Sequence, residues 1–216
     1  MLNNNYKKQV NKELYFDKNY ITFGRISTYC LLIKNVFKLK ERPVNILEIG
    51  PGNKILTNFL INCGFFVETL DFDEKINPDY VMDVNSSNFE KVNKKYDLVI
   101  ASQVFEHIRF EDFIKALEKL KTKTNKLFIT LPHYSKNSIS FFFAFKIPFI
   151  KYFFISKKFN FFKKHYLFNK QHYWEIGTKD TSLKKIKKEI KKTGWKIKEN
   201  YINENYSYHH FFYLEN

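Results

Sequence analysis

Residues 46–53 read Ile-Leu-Glu-Ile-Gly-Pro-Gly-Asn, an apolar strand pattern that passes through one acid into a tight glycine turn. Beyond the turn, Ile55, Leu56, Phe59 and Leu60 recur at helical spacing, and Gly64 supplies the C-terminal stop. A second apolar run, Phe65-Phe66-Val67-Glu68-Thr69-Leu70, ends on Asp71, twenty-one positions after Gly50. Strand, glycine turn, helix, strand and acid make one βαβ unit. A carboxylate at the tip of its second strand can accept hydrogen bonds from both hydroxyls of a ribose. The segment therefore points to a nucleotide-like cofactor.

The turn separates two kinds of cofactor. A dinucleotide fingerprint G-x-G-x-x-G sets its second glycine and the helix N-terminus against a pyrophosphate, and uses the last glycine for close helix–strand packing. Here that last place is Ile55. The form E-x-G-x-G, carried by Glu48, Gly50 and Gly52, instead resembles the first motif of class I S-adenosylmethionine (SAM)-dependent methyltransferases. In that family the glycines let the chain pass beneath the methionine part of a cofactor that has no phosphate. Where the family carries a third glycine this chain has Lys54, which is expected to crowd the turn or to place a cation near the cofactor.

The resemblance runs on in the family's order from about residue 44 to 133. Pro78 to Val84 resembles its third strand, which implies that Asp83 accepts from the adenine amino group and that the Val84 N–H reaches the ring. Tyr96 to Ile108 resembles the fourth strand and the turn after it, with Ser102 and Gln103 among the implied cofactor contacts and a Glu106-His107 pair at its end. Leu127 to Pro132 resembles the fifth strand. The family implies an α/β fold: a Rossmann-like three-layer sandwich on a seven-stranded, mostly parallel sheet with an antiparallel member near the edge. It also implies SAM as cofactor and S-adenosylhomocysteine (SAH) as product. On this reading residues 1–216 are one domain. Residues 1–43 form an N-terminal helical cap, 44–133 the SAM-binding core, 134–173 an acceptor lid or interfacial insert, and 174–216 a C-terminal helix and strands.

Length and composition agree with that. A chain of 216 residues, 44% hydrophobic and 19% aromatic, can bury a sizeable core. Apolar positions from Ile21 to Phe37 suggest a helix over roughly 20–38 beside the cleft, Phe110 to Lys121 suggests another, and Ser182 and Gly194 bracket a third from Leu183 to Lys192. Trp195 onwards and Phe211 to Leu214 suggest two late strands. Asp97 reads as a structural group at the start of its strand. Cys30 and Cys63 lack metal-ligand spacing and sit in apolar sequence, which argues against a zinc site or disulfide framework and for a reducing compartment. No metal ligands are expected, and the N-terminal residues lack an apolar signal core, so a cytoplasmic protein is expected.

The net charge of +15 raises the question of nucleic acid, because clustered cations release counterions from phosphates. Only three of the 37 basic residues, Arg25, Arg42 and Arg109, are arginine, the residue that reads bases and phosphates bidentately, so nucleic acid is a disfavoured partner. The segment from Ile139 to Lys164 is unusual: phenylalanines interrupted by Lys146, Pro148 and Lys151, then Lys157-Lys158-Phe159-Asn160-Phe161-Phe162-Lys163-Lys164. Two central lysines at about 3 kcal/mol each forbid a spanning helix. A lid over the acceptor is expected, or a contact with an anionic membrane surface, which would put the protein at the inner face of the cell membrane.

Methyl transfer from a sulfonium is an in-line displacement, so the protein's task is to hold the nucleophile and take a proton from a hydroxyl. His107 and His133, each just after a strand on the cofactor rim, are the candidate bases, and His172 is a candidate for acceptor binding. His209 and His210 read as structural. His172 to Gly177, with Glu204 to Phe212, resembles a group of bacterial and archaeal methyltransferases associated with surface-glycan synthesis, which implies a glycan or other small acceptor. Two other readings stay open: a methyltransferase of RNA or another nucleic acid, and a catalytically silent SAM-binding or scaffold protein motivated by Lys54.

Overall fold

The apolar runs of the sequence become neighbouring strands of one sheet. The computed structural model describes residues 12–17, 19–136, 138–145, 153–161, 164–169 and 171–216. Strands β1 (Asn45–Ile49), β2 (Phe66–Asp71), β3 (Tyr80–Val81), β4 (Leu98–Ser102) and β5 (Lys126–Pro132) pair in parallel. Strands β8 (Lys196–Ile202) and β9 (His209–Glu215) complete the sheet in the order β3-β2-β1-β4-β5-β9-β8. β9 runs antiparallel to both its neighbours, one place from the edge. Chain order reverses beside β1, so the carboxyl ends of β1 and β4 diverge and leave a crevice at the topological switch point.

The parallel strands read as continuous apolar runs because both faces are buried. Ile46, Leu98 and Ile100 face one layer, where they meet Leu32 and Val36 of helix α1 (Phe23–Lys38) and Leu56 and Leu60 of α2 (Ile55–Asn62). Leu47, Val99 and Leu127 face the other, against Phe113 and Leu117 of α3 (Phe110–Leu120) and Ile186 and Ile190 of α4 (Leu183–Lys192). Helix α1 starts later than its periodicity suggests because Thr22 caps it, its hydroxyl accepting from Arg25 N. Cys30 is exposed, contrary to its apolar sequence context, because α1 turns it away from the sheet. Asp97 is structural as expected: its carboxylate accepts from Val44 N and Asn45 N at 2.8 and 2.9 Å.

A buried polar knot ties α1 to the turn between β8 and β9. Asn203 Nδ2 donates to Ser27 Oγ and Thr28 Oγ1 at 3.0 and 2.9 Å, and Thr28 Oγ1 lies 2.8 Å from His209 Nδ1. Every member has its partner, the condition on which a buried polar group is tolerated.

The insert is a separate antiparallel hairpin, β6 (Ser138–Phe145) with β7 (Phe153–Asn160). Lys146, Pro148, Lys151 and Lys163 lie outside the described residues. The hairpin's inner face reaches the body through polar side chains. Lys158 Nζ donates to the carbonyls of His133 and Ser207, and Asn160 Nδ2 to those of Tyr134 and Gly177. Its outer face carries Ile139, Phe141, Phe143, Phe145, Ile155 and Phe159, all exposed. Among the described residues no helix is long and apolar enough to cross a membrane.

Gly177 is the tightest point of that junction. Its φ is +88°, and a β-carbon would stand 2.6 Å from Asn160 Nδ2 and 2.9 Å from His133 Nε2. Gly177→Ala should therefore cost about 1–3 kcal/mol of stability by strain and crowding, measured by urea unfolding. An unchanged midpoint would show that the hairpin is not seated on this turn.

Candidate active site

A cavity of about 200 Å³ opens at the switch point between the ends of β1, β2 and β4. Its lining brings together Glu48, Gly50, Gly52, Asp71, Asp83, Val84, Ser102, Gln103 and His107, the whole cofactor set expected from the sequence and one of the two expected bases. The floor is backbone. Gly50 and Gly52 have φ of +68° and +53°, and a β-carbon on Gly50 would stand 2.5 Å from Val104 Cγ2. Gly50 N donates to Leu70 O at 2.9 Å, tying the turn to β2.

The acids take distinct positions around that floor. Glu48 is buried, its Oε2 accepts from the Thr57 hydroxyl, and β1 is thereby tied to α2. Burial raises the Glu48 pKa to about 7, against smaller opposing effects of the Thr57 hydrogen bond and Lys54. Asp71 ends β2 with its Oδ1 2.9 Å from Asp73 N, and Asp83 accepts from Asn85 N at 2.7 Å. Burial raises the Asp83 pKa above the usual carboxylate value. Ser102 Oγ lies 2.8 Å from Thr130 Oγ1, and Gln103, at φ 56°, donates to the same hydroxyl at 3.2 Å. Lys54 has the left-handed φ of 57° that a glycine would favour, yet its Nζ reaches out to Asn77 O at 2.5 Å. The expected cation beside the cofactor is therefore turned away from the cavity.

Residues from the N-terminal segment close one side. Tyr15 and Tyr20 meet edge to face at 5.2 Å, the Arg25 guanidinium stacks 3.8 Å over Tyr20, and Tyr29 reaches Asn53. The sequence indicated a helix beside the cleft but assigned none of these four side chains to the site. The available signal was the recurrence of Arg25 and Tyr29 on one helical face.

The far end gathers Glu106, His107, His172 and Tyr208. His107 Nδ1 lies 2.9 Å from Gln171 O, and the rings of His107 and His172 meet edge to face at 5.0 Å. His172 Nδ1 is 3.0 Å from Glu175 Oε1, which also accepts from the hydroxyls of Tyr208 and Tyr166 at 2.6 and 3.0 Å. Burial, helped by the His172 charge, lowers the His107 pKa to about 4, so the ring is neutral at neutral pH. Burial raises the Glu106 pKa to about 7, with the His172 charge opposing. For His172 burial favours the neutral ring, but the Glu175 hydrogen bond and the charges of Glu106 and Glu175 outweigh it and raise the pKa.

His133, the other expected base, is not brought to the cavity. It is buried at the root of the hairpin with its Nδ1 3.3 Å from His210 Nδ1, because the β5–β9 register sets Leu131 opposite His210. Burial, then the Lys158 charge, lowers its pKa to about 3. His209 and His210 are structural partners, of Thr28 and His133 respectively.

Glu48 gives this site a pH signature. Its folded pKa is raised from 4.5 to about 7, so the folded protein holds this proton more tightly than the unfolded chain, and stability from the group is lost as pH rises through that window. Glu48→Gln keeps an oxygen for Thr57 and cannot ionise. Its stability relative to wild type should rise by up to about 3 kcal/mol between about pH 5 and pH 8, read from urea unfolding at each pH. A constant difference across the range would mean that Glu48 is ionised at little cost.

A family model described as methyltransferase domain matches residues 22–196. No curated protein sequence matches the chain. Among solved structures, the chain resembles an S-adenosylmethionine-dependent methyltransferase from Clostridium acetobutylicum ATCC 824 at 10% identity and TM-score 0.61, over 94% of this chain and 96% of that one. It also resembles the 1,6-didemethyltoxoflavin-N1-methyltransferase of Burkholderia thailandensis, which holds 1,6-didemethyltoxoflavin and S-adenosylhomocysteine (10% identity, TM-score 0.59, 93% of this chain and 81% of that one). A glycopeptide N-methyltransferase in complex with SAM is similar as well (11% identity, TM-score 0.59, 91% and 95%). At such identities the likeness speaks for the fold, and that fold is the Rossmann-like α/β architecture of SAM-dependent methyltransferases. The family match spans most of the chain, from the cap of α1 to the start of β8, and the chain belongs to the methyltransferase-domain family.

Proposed function

We propose that this methyltransferase takes SAM in the cavity at the β1–β4 switch point and transfers its methyl group to a hydroxyl of a glycan or other small acceptor. The observation that carries the reading is the convergence on one cavity of a side-chain-free floor, Gly50 and Gly52, with two strand-end carboxylates, Asp71 and Asp83. SAM fits these residues: a β-carbon at Gly50 would fill the floor, Asp71 is placed for ribose hydroxyls, and Asp83 for the adenine amino group. Bound there, SAM supplies a methyl group on a sulfonium and leaves as SAH. Lys54, the motive for reading the chain as a silent scaffold, points to Asn77 and leaves the floor clear.

The acceptor end is the wall formed by His107, His172 and Tyr208. The two segments that carry the glycan-branch resemblance meet here, since His172 and Tyr208 share the Glu175 carboxylate. Aromatic rings beside fixed polar groups suit a sugar face. The Gln171 carbonyl accepts from His107 Nδ1, so the neutral ring carries its proton there and its Nε2 is the atom to act as base for a hydroxyl.

Calorimetry tests the cofactor. SAM or SAH should bind and NAD should not, and Asp71→Ala should weaken binding by about 1.5–3 kcal/mol through lost charge-assisted hydrogen bonds. Equal binding of NAD would remove the assignment, and an unaffected variant would take Asp71 out of the pocket.

The acceptor of this reading is met at a membrane surface. The hairpin's outer face exposes phenylalanines at 46–60% of their surface, Lys157 stands among them opposite Phe141, and the chain carries +15 charges overall. Apolar side chains at the acyl boundary with lysines among anionic headgroups suit that pattern. Lys158 is not part of this set, because it is bonded to the body. The protein should sediment with anionic vesicles at low salt and leave them near physiological ionic strength, where screening reaches about 8 Å. The combined change Phe141→Ser, Phe143→Ser and Lys157→Gln should abolish sedimentation and spare SAM binding. A wild-type chain that stays in the supernatant at every salt would make the hairpin a lid over the acceptor instead.

A further inference from the structure

Glu106 presents a problem of buried charge. It has no exposed surface, and among the described residues no hydrogen-bond donor reaches either carboxylate oxygen. A buried carboxylate in that state is costly until a proton or a cation joins it. One of its oxygens lies within 4.8 Å of a ring nitrogen of His107 and of a ring nitrogen of His172, and the two nitrogens are equally close to each other.

Both imidazoles are braced from behind. His107 Nδ1 meets the Gln171 carbonyl at 2.9 Å, and its Nε2 faces Glu106 Oε1 at 3.9 Å. His172 Nδ1 meets Glu175 Oε1 at 3.0 Å, and that carboxylate is held in turn by Tyr166 and Tyr208. A carbonyl or carboxylate on the far nitrogen fixes the tautomer and aims the other lone pair, which is the arrangement that surrounds histidines bound to metals.

We propose that Glu106, His107 and His172 bind one divalent transition-metal ion of the zinc and ferrous-iron class, with its remaining positions open to an acceptor oxygen in the cleft. Two imidazoles and one carboxylate suit such ions and leave coordination sites free. Ligand bonds of about 2.0–2.2 Å ask the three groups to close by roughly 1 Å, within the reach of side-chain rotation. The ion site stands on these contacts alone, while the acceptor's place on it rests on the methyl-transfer reading above. Ligation occupies the His107 lone pair, so the ion, as a Lewis acid, takes over from the imidazole in easing loss of the hydroxyl proton.

The test uses the whole chain, freed of metal by a chelator and titrated with Zn²⁺ by calorimetry and with Co²⁺ by visible absorption. One ion per chain should bind, with cobalt bands typical of imidazole and carboxylate ligation. Affinity should fall by more than about 100-fold in His172→Ala and Glu106→Gln, and by about 10–100-fold in Glu175→Gln, which loosens the His172 ring without removing a ligand. Circular dichroism checks that each variant folds. No saturable binding, or unchanged affinity in folded His172→Ala and Glu106→Gln, overturns the proposal. If those variants do not fold, a wild-type cobalt spectrum without histidine ligation overturns it alone. SAH is titrated into the same samples. SAH binding without metal binding sinks the ion site and leaves the cofactor reading standing, and metal binding without SAH binding supports the site while removing that reading.

Discussion

At Gly50 there is room for backbone and for nothing more. Val104 packs where a β-carbon would go, 2.5 Å away, and the Gly50 amide is bonded to Leu70 O. The turn after β1, the tip of β2 and the turn after β4 are locked together at that point. Val104 also leads into the turn that carries Glu106 and His107, so the contact that shapes the glycine floor sets where the far end of the cavity begins. Lys54 accepts a left-handed backbone at a cost of about 1–2 kcal/mol, partly offset by its hydrogen bond to Asn77. The turn's shape is thus retained where its third glycine is not.

What was legible in the sequence is what local chemistry decides. The βαβ unit shows because its strand, turn, helix and acid follow one another, and α4 shows because Ser182 and Gly194 are a cap and a stop within one segment. The hairpin was hidden. Its alternation is blurred in Ile139 to Phe145, where Phe142 on the inner face is as apolar as Phe141 and Phe143 on the outer, and strand pairing from Ser138 to Asn160 is not a local property. The place of His133 depends on a residue 77 positions away, His210, through the register of β5 with β9. Glu106 was visible as half of a familiar pair, but its burial without a donor exists only where the β4 turn meets the segment around His172.

The two halves of the site come from different parts of the chain. The floor and its carboxylates belong to β1 through β4, whereas Gln171, His172, Glu175 and Tyr208 follow β5. Glu175 gathers His172, Tyr166 and Tyr208 onto one oxygen, so this end of the cavity is a unit with its own internal support. Such a division lets one cofactor scaffold serve different acceptors, because the wall can change without disturbing the glycine turn. A 1,6-didemethyltoxoflavin-N1-methyltransferase and a glycopeptide N-methyltransferase share this fold.

The position of β9 has a consequence for how the molecule is made. It is the last strand in sequence yet lies inside the sheet, between β5 and β8, and its first residue, His209, joins the polar knot that seats α1. During synthesis β5 therefore waits with an unpaired edge while the phenylalanine-rich hairpin emerges, and the polar contacts of α1 stay open until Asn203 and His209 arrive. Long-range closure of this kind is slow and leaves strand edges exposed to other chains. The nascent protein should depend on chaperone cover far more than the finished fold does, and the hairpin's phenylalanines are the surface a chaperone would hold.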